Sequence, residues 1–179
     1  MLQTRPADPV PITRPIVLIG LMGVGKTTVG RRLAQRLRLP FVDADVEIEA
    51  AAGMTIAEIF DRFGEPHFRD GERRVIARLI DGAPKVIATG GGAFLNEATR
   101  ALILDQSTAI WLDAPPEVLA ERVAKRDHRP LLRGKDPLKV LTELAALRNP
   151  VYALAPIQIT SKVAPHEATV NAILTAIGR

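Results

Sequence analysis

The chain has 179 residues, 47% of them hydrophobic, which suits one well-cored domain and is short for two. It has no cysteine, which excludes a disulfide framework and thiolate metal sites and suits a reducing cytoplasm. A net charge of +4 would allow a nucleic-acid partner, but aromatics make up only 4% and none interleave with a basic stripe. Neither nucleic acid nor a membrane is therefore an expected partner, since no stretch approaches a membrane span, and a monomer is expected.

Residues 1–14 read as a flexible tail: Met1 to Pro15 hold four prolines and no apolar block of signal-peptide length. A strand is predicted at Ile16–Ile19. Directly after it comes Gly20-Leu-Met-Gly-Val-Gly-Lys-Thr27, with the spacing G-x-x-x-x-G-K-[ST] of a phosphate-binding loop. Its glycines let successive N–H groups turn toward phosphate oxygens, and a helix over Lys26–Arg38 adds its positive dipole end at the same place. Lys26 would reach the β and γ phosphates, and the Thr27 hydroxyl would bind Mg²⁺. Arg31, Arg32, Arg36 and Arg38 fall between the apolar positions Val29, Leu33 and Leu37, the pattern of an exposed helix face.

Further strands are predicted at Phe41–Val42, Val86–Ala88, Ala109–Leu112 and Ile157–Thr160. Helices are predicted at Thr55–Arg62, Phe68–Ile80, Asn96–Leu104, Pro115–Lys125, Pro137–Tyr152 and Pro165–Ile177. The alternation implies an α/β protein with a five-stranded parallel sheet, helices on both faces and ligands at the carboxyl ends of the strands. The single domain is expected over residues 15–179. Within it, residues 45–80 supply more helix than a βαβ crossover needs and are the expected acceptor-binding region. Residues 125–136, charged and broken by proline and glycine, are the expected mobile lid.

Phe41-Val-Asp-Ala-Asp45 places two carboxylates at a strand end, and in an extended chain Asp43 and Asp45 point the same way. Such acids can serve a Mg²⁺ shell and a nucleophile's hydroxyl; the alternative is a helix cap, which would suit Asp45. Thr89-Gly90-Gly91-Gly92 follows another strand and permits close approach of a ligand to backbone. Arg69 and Glu72 lie three apart on one helix and can pair, presetting a fork for a carboxylate. Arg148-Asn-Pro-Val-Tyr152 adds a second arginine near the end of a late helix. His67, His128 and His166 are scattered and lack metal-ligand spacing, and Trp111 reads as core.

In their order, G-x-x-G-x-G-K-T, D-A-D, F-R-D-G-E, T-G-G-G, R-P-L-L at Arg129 to Leu132 and R-N-P-x-Y, these motifs resemble the shikimate kinases, a family of the nucleoside monophosphate kinase-like group within the P-loop NTPase fold. The resemblance runs from about Ile16 to the C-terminus and implies an ATP-dependent kinase that phosphorylates the 3-hydroxyl of shikimate. It implies ATP contacts from Gly23, Val24, Gly25, Lys26, Thr27, Thr28, Arg122, Arg129 and Pro165, with Arg122 and Pro165 beside the adenine and Arg129 entering from the lid. Mg²⁺ would be held by Thr27 and Asp43. Asp45 would receive the hydroxyl proton, with Lys26 and Arg129 completing the catalytic set. Shikimate would be bound by Asp45, Arg69, Gly91 and Arg148, with Phe60 and Phe68 as apolar lining. On the residues alone, a gluconate or nucleotide kinase of the same fold, a nucleotide-binding module without transfer activity and an RNA-binding protein stay open.

Overall fold

The computed structural model describes residues 10–125, 132, 134–161 and 165–179. Five strands, β1 (Ile16–Ile19), β2 (Phe41–Asp43), β3 (Val86–Ala88), β4 (Thr108–Asp113) and β5 (Ile157–Thr160), form one sheet in the order β2-β3-β1-β4-β5. Every pairing is parallel. All four residues of β1 and all three of β3 are buried, so side chains pointing to either face of the sheet are covered, as a parallel sheet between two helical layers requires. The P-loop thus leaves the middle strand, with the tip of β3 and its glycines beside it.

Among the described residues seven α-helices join or follow the strands: α1 (Lys26–Leu37), α2 (Ala44–Ala52), α3 (Ile56–Leu79), α4 (Glu97–Gln106), α5 (Pro116–Ala124), α6 (Pro137–Tyr152) and α7 (His166–Ala176). The arginines of α1 do lie on an exposed face, and Arg36 reaches Glu167 of α7 at 2.5 Å. Trp111 is in the core. His67 is exposed, its ring stacked on Phe63.

One local expectation is corrected, and two local features are added. The extended conformation does not run through both acids: β2 ends at Asp43, which caps α2 by accepting from the Asp45 N–H at 3.0 Å. Asp43, not Asp45, is therefore the cap, and α2 is a helix the periodicity did not single out. The two helices expected around residues 55–80 are both present as the two arms of α3, which are separated at Gly64, whose backbone (φ 79°, ψ 172°) is non-helical and belongs to a region open essentially to glycine. Pro66 sits two residues beyond the bend, in the first turn of the resumed helix, where its missing N–H leaves no bond unmade. Finally, T-G-G-G runs into a short 3-10 turn at Ala93–Leu95.

The N-terminal tail through residue 9 and the central part of the expected lid, residues 126–131 and 133 with Arg129 among them, lie outside the described residues.

Candidate active site

The ends of β1, β2 and β3 open on one pocket of about 300 Å³, lined by the P-loop, both aspartates of D-A-D, Thr89, Gly90 and Gly91. Its other end is closed by Arg122, Val123, Lys125 and His166. The sequence-predicted Gly23, Gly25, Lys26, Thr27, Thr28, Asp43, Asp45, Gly91 and Arg122 all line it. Val24 lies just beneath, 1% exposed.

At the phosphate end, Gly25 takes φ +95°, and a Cβ there would stand 2.9 Å from Cε1 of His166; both backbone and space require glycine. This turn lets α1 begin at Lys26, so that its first residues, Lys26, Thr27 and Thr28, line the pocket. The Lys26 ammonium donates to the carbonyls of Gly20 (2.6 Å) and Leu21 (2.9 Å), which hold it over the loop. Arg122 braces the loop from outside, donating to Val24 O at 3.2 Å and to Ser161 Oγ at 3.4 Å.

At the two residues expected to hold a cation, the Thr27 hydroxyl donates to Asp43 Oδ2 at 2.9 Å while Oδ1 of the same carboxylate caps α2. Two hard oxygen donors thus meet at the pocket wall. Among the described residues no group of three or more His, Cys, Asp or Glu side chains comes together. The donor set fits Mg²⁺, which commonly takes one or two protein oxygens and leaves its other positions to water and phosphate.

The acceptor end is built around the three glycines. A Cβ on Gly90 would lie 3.0 Å from Asp45 Oδ1 and 3.3 Å from Glu72 Oε2, and one on Gly91 would lie 3.1 Å from the Arg148 guanidinium. One on Gly92 would overlap the Arg69 guanidinium outright. Each glycine clears room for one of the charged side chains that the motifs singled out. Arg69 and Arg148 come from α3 and α6, 79 positions apart in sequence, and are brought to neighbouring glycines.

Arg69 is fixed from behind. Its guanidinium donates to Glu72 at 2.9 Å and to Glu65 at 3.3 Å, and it lies 5.1 Å from the Phe68 ring centroid. Glu72 is 2% exposed. Burial pushes its carboxyl above the usual carboxylate range; the charge of Arg69 and its hydrogen bond work against that rise, Asp45 adds to it, and Arg148 opposes it.

Other predicted residues stand back from the pocket. Phe68 is buried with its ring 4.7 Å from Phe60, and it lines a separate apolar cavity between α2 and α3 with Ile48, Met54 and Ile59. Pro165 is exposed at the cap of α7, and the next residue, His166, takes the place on the pocket wall. The sequence reading missed His166, because a histidine without metal-ligand spacing carries no signal of a position beside Gly25. It also gave no role to Tyr152, which is fully buried and donates its hydroxyl proton to the Gly91 carbonyl.

A parallel sheet in this order and a P-loop that leaves its central strand to line a pocket with Asp43, Asp45 and the glycines after β3 define a P-loop phosphotransferase. The profile of the shikimate kinase family matches residues 22–178. A shikimate kinase of Caulobacter vibrioides is 62% identical over 164 residues, 92% of this chain and 82% of its own length. One of Zymomonas mobilis is 55% identical over the whole of both chains. The solved shikimate kinase of Acinetobacter baumannii in complex with shikimate superposes with a TM-score of 0.86 at 37% identity, covering 92% of each chain. The chain belongs to the shikimate kinase family. It is an ATP-dependent kinase that transfers the γ-phosphoryl group to the 3-hydroxyl of shikimate, a step of the chorismate and aromatic amino acid pathway.

Proposed function

We propose that the residues gathered at the two ends of this pocket divide the reaction between them. The observation that supports this division is the glycine run 90–92, whose lack of side chains leaves room for Asp45, Arg148 and Arg69 beside it, with its middle glycine, Gly91, also next to the P-loop backbone. Arg69 and Arg148 bind the shikimate carboxylate as planar forks, and Gly91 lets the ring approach the backbone. Phe68, packed against Arg69 and Phe60, backs the acceptor side with apolar surface from behind the pocket rather than in its wall. Asp45 receives the proton of the attacking hydroxyl. Lys26 and the N–H groups of Gly23, Val24, Gly25, Thr27 and Thr28 hold the phosphates and stabilise charge developing on the transferred group. Arg122 and Pro165 flank the adenine, and Arg129, from the lid over residues 125–136, closes over the nucleotide.

Thr27 and Asp43 would hold Mg²⁺, which when bound neutralises charge on the β and γ phosphates. We place the enzyme in the cytoplasm as a monomer. The cysteine-free composition suits that compartment, and among the described residues no helix is long and apolar enough to cross a membrane.

The test is ADP release followed with and without shikimate, with and without Mg²⁺, beside light scattering for the oligomeric state. Turnover should require all components, and gluconate or a nucleoside monophosphate should not replace shikimate. ADP release at the same rate without shikimate would overturn the division of roles.

A further inference from the structure

A loop of three glycines has no side chains with which to fix itself, so its conformation must be set by where its backbone groups bond. Thr89 anchors the entrance, its N–H and its hydroxyl both donating to Leu18 O, at 3.2 and 2.9 Å. At the exit, the 3-10 turn takes two of the three glycine carbonyls: Ala93 N–H donates to Gly90 O at 3.3 Å and Leu95 N–H to Gly92 O at 3.1 Å. The middle carbonyl, Gly91 O, points the other way. It accepts from the hydroxyl of Tyr152, 61 residues later in the chain.

Tyr152 is well placed to hold that carbonyl still. It ends α6, is fully buried, and its ring lies 6.0 Å from that of Trp111 on β4. Arg148 lies one turn earlier on the same helix. Burial pushes the phenol's pKa up, with Arg148 and Arg69 opposing, so the hydroxyl keeps its proton and stays a donor. Gly91 itself sits between the two halves of the site. The open side of its Cα faces the Arg148 guanidinium at 3.1 Å and the P-loop backbone at 3.6 Å (Gly20 O) and 3.8 Å (Met22 N), measured from the position a Cβ would take.

We infer that Tyr152 is a positioning residue for phosphoryl transfer: its hydroxyl fixes the Gly91 peptide and thereby the gap between the acceptor clamp and the phosphate loop. The inference rests on the assignment of Arg148 and the P-loop proposed above. It reaches a residue that is not part of the pocket lining. A peptide that can rotate lets the gap vary, and a displacement of about 1 Å in the reacting groups is enough to cost as much as 10²-fold in rate.

Tyr152→Phe keeps the ring and removes the hydroxyl. The expected result is a kcat lowered about tenfold or more, with the KM values for shikimate and ATP each within about twofold of wild type. An unchanged kcat would overturn the inference. So would a raised shikimate KM that accounts for the whole loss, because the hydroxyl would then serve only to keep Arg148 available for binding.

A second measurement needs no substitution. Tyr152 is the only tyrosine of the chain, so biosynthetic 3-fluorotyrosine labels it alone, and the enzyme should give one ¹⁹F resonance. Saturation with ADP and shikimate should shift that resonance, since the Gly91 peptide it touches borders both sites; an unmoved resonance would overturn the inference. Wild-type enzyme unable to phosphorylate shikimate would overturn this inference and the proposed roles together, whereas wild-type turnover with an unaffected Tyr152→Phe kcat would remove Tyr152 alone.

Discussion

The Thr27 hydroxyl donates to Asp43 Oδ2 at 2.9 Å, joining the first turn of α1 to the last residue of β2. The same carboxylate caps α2 through its other oxygen, so one side chain sets the relative placement of the phosphate loop and of the helix that carries Asp45. The proposed cation position is therefore built into the join between donor and acceptor halves.

Replacing Thr27 by valine removes the hydroxyl at almost constant volume. The Mg²⁺ concentration giving half-maximal rate should rise about tenfold, corresponding to the ~1.4 kcal/mol of one hydrogen bond involving a charged group. Thr27→Ser should stay close to wild type. A Mg²⁺ titration of initial rates reads both, and an unchanged half-point in the valine variant would take Thr27 out of the cation site.

Asp45→Asn keeps the shape that fits beside Gly90 and loses the proton acceptor. Its kcat should fall by roughly 10²-fold or more, with shikimate KM changed far less. Steady-state rates with both substrates varied decide it; near wild-type kcat would remove Asp45 from proton transfer.

Gly92→Ala tests the clearance directly. Gly92 has φ −94° and ψ −11°, a conformation alanine adopts freely, so the cost falls on the Arg69 guanidinium, which a Cβ would displace. Shikimate KM should rise about tenfold, the same order as for Arg69→Lys, while ATP KM stays near wild type. Equal weakening of both substrates would show that the glycine serves the loop's own conformation instead.

Glu72 gives a pH signature. Because burial raises its native pKa, the folded protein holds the proton more tightly than the unfolded chain does. This contribution to stability is fully present below the unfolded value, about 4.3, and is lost as pH rises through the raised native value. The melting temperature of wild type relative to Glu72→Gln should therefore fall from pH 4 upward. A difference that grows with pH would mean that pairing with Arg69 outweighs burial.

The five strands were legible because β1, β3 and the middle of β4 (Ala109 to Leu112) are apolar runs next to turn residues, and the P-loop because its spacing is strict. The Arg69–Glu72 pair followed from helical spacing alone. Helix α2 was hidden: Ala44 to Ala52 is mostly alanine and acid, with no clear apolar stripe, and D-A-D at its start reads equally well as a strand end. The break between the two arms of α3 at Gly64 was legible as well, since a glycine and a proline two apart punctuate the pattern. Tyr152 and His166 could not be given roles from sequence because their partners are a backbone carbonyl and a glycine Cα, which leave no mark on spacing or charge.

The chain has one tryptophan and one tyrosine, and the fold brings Trp111 of β4 and Tyr152 of α6 to 6.0 Å between ring centres. Light absorbed by the tyrosine will be passed to the tryptophan, which is 5% exposed and emits from an apolar setting. The enzyme thus carries an intrinsic optical reporter: loss of energy transfer records α6 leaving the sheet, without any added dye, and it does so at the element that delivers Arg148.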